Sequence, residues 1–225
     1  MKKILAATFF FTFIFYNHIK AQTQTITELR FPYKPGYTLK LAGTSTVYAQ
    51  DGSTVVDTSV TEYYIDKDVT LKGKRWVNFH SKSISKDTTL LYDSPLRVDE
   101  TGMSWFEANQ EKGKKNITQA IKLPLSQGAT WNTYTDGKPA VCSCLSTHTF
   151  VNTSKGDIEA FCVQTLVALK KTKTYTYYLK VVEFYNQDIG KVGYSCYYYF
   201  ELPNGRVINS FDLKETLLDY GFFNK

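Results

Sequence analysis

The chain has 225 residues and a formal net charge of +6, with 43% hydrophobic and 16% aromatic residues. Its lysines and arginines are scattered, whereas nucleic-acid binding needs a basic patch or stripe. The length suits one all-β domain, and no Pro-, Gly- or Ser-rich linker divides the sequence. Composition therefore predicts a single domain without a nucleic-acid partner.

The N-terminus has the three parts of a signal peptide. Lys2 and Lys3 supply positive charge, residues 4–16 form an apolar run, and Ala21 is a small residue at a suitable cleavage point. The apolar run is too short for a typical membrane span. Removing residues 1–21 takes away three lysines and no acid, which lowers the net charge to +3. We expect an exported chain, secreted or periplasmic, with no transmembrane span.

The rest of the sequence, residues 22–225, predicts one β domain after a polar lead at 22–28. Apolar and polar residues alternate in short segments, and turn pairs such as Asp51-Gly52 and Asn204-Gly205 separate them. Strands are predicted for residues 37–50, 54–66, 75–84, 102–108, 117–123, 131–135, 141–152, 158–169, 174–186, 191–201 and 207–213. Residues 90–98 are irregular around Pro95.

The expected fold is all-β: a single antiparallel curved sheet, an open or half barrel of about ten strands. Two alternatives remain for residues 212–220, which could form one short C-terminal helix or extend the last strand. In the strand after Gly190, strict alternation puts Val192, Tyr194, Cys196, Tyr198 and Phe200 on one face. It puts Lys191, Gly193, Ser195, Tyr197 and Glu201 on the other face.

The sequence contains four cysteines, and export permits disulfides. Cys142 and Cys144 stand two positions apart on a predicted strand and therefore share a face. A bridge between them would be strained and redox-labile, as a thiol-exchange site requires, but no Cys-x-x-Cys motif in a βαβ unit supports that interpretation. The sequence leaves open whether either forms a disulfide.

The other two cysteines are predicted not to pair. Centring the hairpins on their turns places Cys162 and Cys196 in line across the strand that contains Val181. They would then lie about 10 Å apart, because neighbouring strands are ~4.8 Å apart. A disulfide needs Cα atoms closer than ~7 Å. We expect both residues to be small core residues.

Part of the C-terminal half resembles a known family. The residues that carry the resemblance are 124–131 (PLSQGATW), a hairpin with Gly156 at its tip, 161–164 (FCVQ) and 185–192 (YNQDIGKV). Over about residues 120–220 the chain resembles the TapB-like family of secreted bacterial proteins. The resemblance implies a curved antiparallel sheet, similar to the open barrels of periplasmic lipoprotein carriers, and it implies no catalytic residues. The four cysteines are not part of the family pattern.

Residues typical of catalysis or metal binding form no motif. His80 and His148 fit no zinc-ligand spacing, no phosphate-binding glycine loop occurs, and residues 193–197 (GYSCY) lack the second glycine of a nucleophile elbow. We therefore expect no catalytic residue, no metal and no cofactor, and a protein that is not an enzyme.

The aromatic residues are the remaining functional signal. Trp76, Trp105, Trp131 and Tyr198 could line a concave surface for a lipid or another hydrophobic ligand. The alternative is that these rings fill the core of a β domain with little methionine. The predicted function is a non-catalytic binding module of the bacterial cell envelope for an apolar or amphiphilic ligand. A protein-interaction or assembly component, with an envelope protein as partner, is the alternative.

Overall fold

The computed structural model describes residues 24–49, 51–86, 88–106, 117–135 and 137–222. The predicted signal peptide lies outside these residues, as do the predicted strand ends at 50 and 108. Among the described residues, the structure has no helix with the length and hydrophobicity that a membrane crossing requires.

The described residues form twelve strands, and every neighbouring pair is antiparallel. The strands are β1 (Tyr37–Tyr48), β2 (Thr54–Leu71), β3 (Lys74–Ser85), β4 (Thr89–Asp99), β5 (Gly102–Phe106), β6 (Ile117–Lys122), β7 (Thr130–Thr135), β8 (Lys138–Thr153), β9 (Gly156–Lys171), β10 (Thr176–Asn186), β11 (Gly190–Glu201) and β12 (Val207–Phe222). They form one sheet in the order β6-β5-β4-β3-β2-β1-β12-β11-β10-β9-β8-β7.

The structure confirms the all-β fold with one curved antiparallel sheet. It has more strands than the approximately ten expected because all eleven predicted segments form strands and residues 89–99 add β4 despite Pro95. Residues 212–220 extend the last strand, so the C-terminal helix is not formed. Pairing with β1 and β11 along its length fixes this segment as strand, whereas the short sequence pattern DLKETLLDY fits either state.

Side chains join the two edge strands of the sheet, β6 and β7, into a seam. The Gln119 N–H donates to the Thr133 hydroxyl at 2.8 Å, and the Trp131 indole N–H donates to the Gln119 carbonyl at 2.9 Å. The Thr118 hydroxyl donates to the Tyr134 carbonyl. The sheet is therefore nearly closed into a barrel, with its inward face as the core.

The segment before β1, residues 24–36, closes one end of this barrel. Ile26 forms a two-hydrogen-bond bridge with Leu125, and Phe31 stacks on Phe161 and Tyr185 inside the barrel. The N-terminal part of the described chain was predicted only as a polar lead, but Ile26, Phe31 and Tyr33 are buried in the core. We call this side of the barrel the closed end and the opposite side the open end.

The turn between β10 and β11 holds the lead segment in place. The Tyr33 hydroxyl accepts the Lys191 N–H at 2.9 Å, and the Tyr37 hydroxyl donates to the Ile189 carbonyl at 2.7 Å. Gly190 has φ of +87°, and a Cβ on it would lie 2.3 Å from the Tyr33 hydroxyl. This position therefore needs glycine both for its backbone and for its contact with the lead segment.

A β-bulge interrupts the side-chain alternation that was predicted for β11. Phe184 pairs with Gly193 but Tyr185 pairs with Lys191, so two residues of β11 lie opposite one step of β10. Lys191 and its neighbour Val192 are both buried, and the Lys191 side chain reaches into the barrel. The prediction that Lys191 faces away from Val192 and Tyr194 is wrong, because alternation fails at a bulge.

All four cysteines are unpaired thiols, so Cys162 and Cys196 form no disulfide, as predicted. The predicted register is wrong: Val181 lies between Cys196 and Thr165, and Cys162 lies opposite Phe184. The β9–β10 turn lies further along the chain than predicted because β9 continues to Lys171, and the Thr172 hydroxyl accepts the N–H groups of Thr174 and Tyr175. Cys142 and Cys144 share the core face, as predicted.

Replacing Gly190 by Ala should destabilise the fold more than the same change at Gly205. Gly205 also has positive φ (+79°), but a Cβ there meets nothing within 4 Å. We expect Gly205→Ala to cost about 1–2 kcal/mol from backbone strain, and Gly190→Ala to cost roughly 1–3 kcal/mol more because it displaces Tyr33. Urea unfolding measures the free energy of unfolding of both variants, and equal losses of that free energy would contradict the contact with Tyr33.

The thiols should resist modification in the native protein. Burial raises the pKa of Cys142 to about 11, of Cys196 to about 11 and of Cys162 to about 12, and it raises the pKa of Cys144 as well. Thiolate is the reactive form, so at pH 8 we expect no rapid reaction with Ellman's reagent in buffer and four reactive thiols in urea. A thiol that reacts within minutes in buffer would disprove the burial.

Candidate functional site

Toward the open end, the inward face of the sheet carries a continuous apolar row. Six residues on six neighbouring strands lie directly opposite one another: Val167, Leu179, Tyr198, Phe211, Val47 and Val55. We call them the rim row. Val47 is 47% exposed and Val55 is 65% exposed, while Tyr198 and Phe211 are half-buried and Val167 and Leu179 are buried. The accessible part of the row therefore extends from β11 to β2. The barrel therefore presents an accessible apolar concave surface, which we call the trough.

Two further rows lie deeper in the trough. The middle row comprises Thr165, Val181, Cys196, Leu213, Ser45 and Asp57. The floor row comprises Val163, Glu183, Tyr194, Glu215, Gly43 and Ser59. The inward face thus changes from apolar at the rim to charged at the floor.

The floor contains a buried ion pair. The Lys191 ammonium lies 2.7 Å from a Glu183 carboxylate oxygen, and the two side chains are only 8% and 12% exposed. The ammonium also lies over the rings of Tyr63 and Tyr194 at 5.4 and 5.3 Å. Burial alone would lower the pKa of Lys191, but Glu183 and the nearby tyrosine hydroxyls outweigh it and raise that pKa. Lys191 is therefore charged at neutral pH.

A second carboxylate lies in the same row. Glu215 is 4% exposed and accepts a hydrogen bond from the Thr61 hydroxyl at 2.5 Å. Its side chain crosses β1 at Gly43, where a Cβ would lie 2.6 Å from the Glu215 Cγ. Burial raises the pKa of Glu215, and Thr61 and Lys191 offset only part of that rise. The floor therefore holds two carboxylates and one ammonium in a site with little water.

Tyrosines complete the polar interior. Burial raises the pKa of Tyr63 to about 12, so its hydroxyl is neutral and can only donate or accept hydrogen bonds. The Tyr185 hydroxyl is buried without a hydrogen bond of normal geometry, although Glu183 is close enough to help raise its pKa. Ser81, Ser83 and Ser85 of β3 pair with inward-facing residues of β2 and therefore also face the interior. The trough thus has an apolar wall and a hydroxyl wall.

The structure does not bring the four predicted ligand-contact residues together. Tyr198 lies in the rim row and packs on Tyr177 and Phe211. Trp131 is 6% exposed in the seam, and Trp105 packs edge-on against Phe79 inside the barrel. Trp76 is 1% exposed and forms part of a separate cavity at the closed end. Ligand contact by these residues stays a prediction.

The described histidines pair with carboxylates on the outside of the barrel. His80 contacts Asp93 and stacks on Tyr64, and His148 lies 2.8 Å from Glu159. In the part of the chain that the structure describes, no group of three or more His, Cys, Asp or Glu residues could hold a metal ion. No cofactor position is therefore assigned.

Sequence reasoning missed the charged floor. Glu183 and Lys191 lie in predicted strands, Glu215 lies in the segment left open between helix and strand, and none of the three is a predicted site residue. Glu183 and Glu215 nevertheless each interrupt an apolar face of an otherwise alternating strand. That interruption was the available signal. The partner of each charge could not be found because the pairing depends on strand register and on the β11 bulge.

The fold and interior define a nearly closed single-sheet β-barrel with one open, apolar end. No family model matches the sequence, and no curated protein matches it. A protein from Parabacteroides distasonis described as a lipoprotein has 15% identity and a TM-score of 0.48, with 86% of this chain and 99% of that chain covered. A protein from Bacteroides fragilis described as exported, with a YmcC-like fold, has 15% identity, a TM-score of 0.49 and the same coverage.

Similarity at this level concerns the course of the backbone and assigns no function. Membership of the TapB-like family remains a prediction.

Breaking the floor ion pair should destabilise the protein strongly. Lys191→Met leaves the Glu183 carboxylate buried without its cation, which typically costs about 3–5 kcal/mol. The matched control is Lys40→Met, because Lys40 pairs with Glu62 at the same 2.7 Å but both side chains are more than a third exposed. The control should lose less than about 1 kcal/mol. Urea unfolding tests both variants, and similar losses would show that the interior pair is solvated.

Proposed function

We propose that this protein is an exported, non-catalytic binding module of the bacterial cell envelope, and that its trough holds an apolar or amphiphilic ligand. The observation that carries the proposal is the rim row, whose six apolar residues follow one another across six strands. Concave, largely apolar surfaces with a few polar groups are typical of ligand sites. The charged floor and the serines of β3 provide those polar groups.

Solvent exposure supports the trough as a binding surface. The rim-row residues Val47 and Val55 are about half or more exposed although they face into the barrel. Soluble proteins rarely leave large contiguous apolar surfaces in water without a function for them. A ligand with an alkyl chain would bury this row and gain roughly 25 cal/mol per Å² of apolar area removed from water.

The environments of the reactive side chains in the described part of the chain support a non-catalytic role. The four thiols are buried with raised pKa values, which makes them poor nucleophiles at neutral pH. His80 and His148 lie on the outer surface, away from the trough. The floor carboxylate Glu183 is occupied by Lys191.

Mass spectrometry of organic extracts from the natively purified protein tests the proposal directly. A defined lipid or other amphiphile at near-stoichiometric yield is the expected result. Extracts with no such compound, together with no binding of N-phenyl-1-naphthylamine, an uncharged apolar probe, would overturn it.

Neighbouring valines give a matched pair of variants for the trough. Val55 faces inward in the rim row, and Val56 faces outward on the same strand; their exposures are similar, at 65% and 61%. Val55→Asp should weaken probe binding roughly tenfold, because about 1.5 kcal/mol of apolar contact is lost. Val56→Asp should leave binding unchanged. Fluorescence titration measures both, and equal effects would place the ligand outside the trough.

A role in envelope assembly is the second candidate. β4 has exposed apolar residues on both faces: Leu91 is 71% exposed on the outer face, and Leu90 and Tyr92, opposite Ser83 and Ser81, are 47% and 62% exposed on the inward face. Consecutive exposed apolar residues on a strand are typical of an interaction surface. Recovery of an empty protein with one defined envelope partner, lost in Leu91→Asp, would favour this role over ligand binding.

A further inference from the structure

A cavity separate from the trough lies at the closed end. It has a volume of about 560 Å³ and lies between the lead segment, the start of β3 and the end of β4. This volume is within the range of small-molecule sites. Phe31 and Tyr33 of the lead segment line one side, and Trp76 and Leu96 line the other. Its walls therefore combine apolar and aromatic side chains with charged ones.

One cation, Arg97, is held in a fixed orientation in this cavity. Its side chain is 14% exposed, its guanidinium lies 4.8 Å from the Trp76 ring centroid, and its Nε lies 2.7 Å from Asp99. The Thr101 N–H and hydroxyl also donate to Asp99. Burial opposes ionisation of Asp99, but these hydrogen bonds and Arg97 outweigh it and lower the pKa of the carboxyl. Asp99 is thus a satisfied anion that pairs with Arg97 by charge, since the buried Nε has no hydrogen bond of normal geometry.

The outer edge of the guanidinium remains available. The terminal nitrogens of Arg97 donate to no residue in the described part of the chain. Nε is the Arg97 nitrogen that is buried without a hydrogen-bond partner, so the terminal nitrogens reach the solvent of the cavity. A ligand that displaces this solvent can supply acceptors for these N–H groups. The fork of two parallel N–H groups matches the two oxygens of a carboxylate.

The surrounding charges favour an anion. Lys34 and Lys74 are exposed at the edge of the cavity, and neither has an ion pair with a described residue. Arg75 is paired with Asp68 at 2.6 Å, and Asp99 is paired with Arg97. Glu100 is the one lining acid outside these pairs, so the cavity retains an excess of positive charge. Low-dielectric walls strengthen the attraction that such charges exert on an anion.

We propose that the closed-end cavity is a second binding site, independent of the trough, for a small organic acid. The carboxylate pairs with the terminal nitrogens of Arg97, and the apolar part of the acid lies against Leu29, Val77 and Val98, the partly exposed apolar residues of the cavity lining. Neither the rim row nor the floor contributes to this site.

NMR titration of the ¹⁵N-labelled protein with octanoate, octanol and octylamine tests the site. Octanoate should shift the Trp76 indole signal and the amide signals of residues 74–77 and 96–99 with one common dissociation constant. It should bind at least tenfold more tightly than octanol or octylamine, and Val55→Asp should leave this constant unchanged. Octanol binding as tightly as octanoate, or shifts confined to the trough, would overturn the proposal.

Substitution of Arg97 tests whether octanoate binding needs the guanidinium group or only a positive charge. Arg97→Lys keeps the positive charge but loses the fork, and it should weaken octanoate binding at least fivefold while octanol binding stays unchanged. Lys214→Gln on the outer face of β12 is the control and should have no effect. If Arg97→Lys fails to fold, Lys74→Gln provides the second variant. It should weaken octanoate binding two- to threefold at low salt and not at high salt. Unchanged binding in the folded Arg97→Lys or in Lys74→Gln at low salt would disprove the assignment.

Discussion

The ion pair between Lys191 and Glu183 is the constraint on which the rest of the barrel depends. It exists because the β11 bulge turns Lys191 inward beside Val192, directly after the Gly190 turn. The Lys191 backbone N–H donates to the Tyr33 hydroxyl, and its ammonium lies over Tyr63 of β2. One residue therefore connects the lead segment, β10, β11 and β2. A buried pair of this kind is a specificity device more than a source of net stability, because desolvation offsets most of the attraction.

The two ends of the barrel differ because of this arrangement. At the closed end, the turn before β11 holds the lead segment over the core, and the rings of Phe31 and Tyr33 pack against other rings in the interior. At the open end, the strands continue beyond the charged floor, and the rim row has no segment of the described chain packed over it that would bury Val47 and Val55. Packing thus seals one end and leaves an apolar concave surface at the other, which is the basis of the proposed ligand site.

Aromatic residues have three separate environments in this structure. Phe31, Tyr185 and Phe161 form a stacked group in the core, and Trp131 closes the seam through its indole N–H. Tyr177 contacts both Tyr198 and Phe200 on the inward face toward the open end, where the sheet is accessible. Trp76 has a third environment, stacked beneath Arg97 at the closed-end cavity. Ring content alone could therefore not distinguish core from site, because both use the same residue types.

The sequence by itself determined the all-β class, most strand positions, the shared face of Cys142 and Cys144, and the turn that contains Gly190. Alternation and turn residues are local signals, so they can be recognised without knowledge of distant contacts. Only the tertiary structure decided the register of Cys162, the inward position of Lys191, the pairing of Glu215 with Thr61 and the insertion of the lead segment. These features depend on bulges and turn positions, and a shift of one residue moves every later side chain to the opposite face.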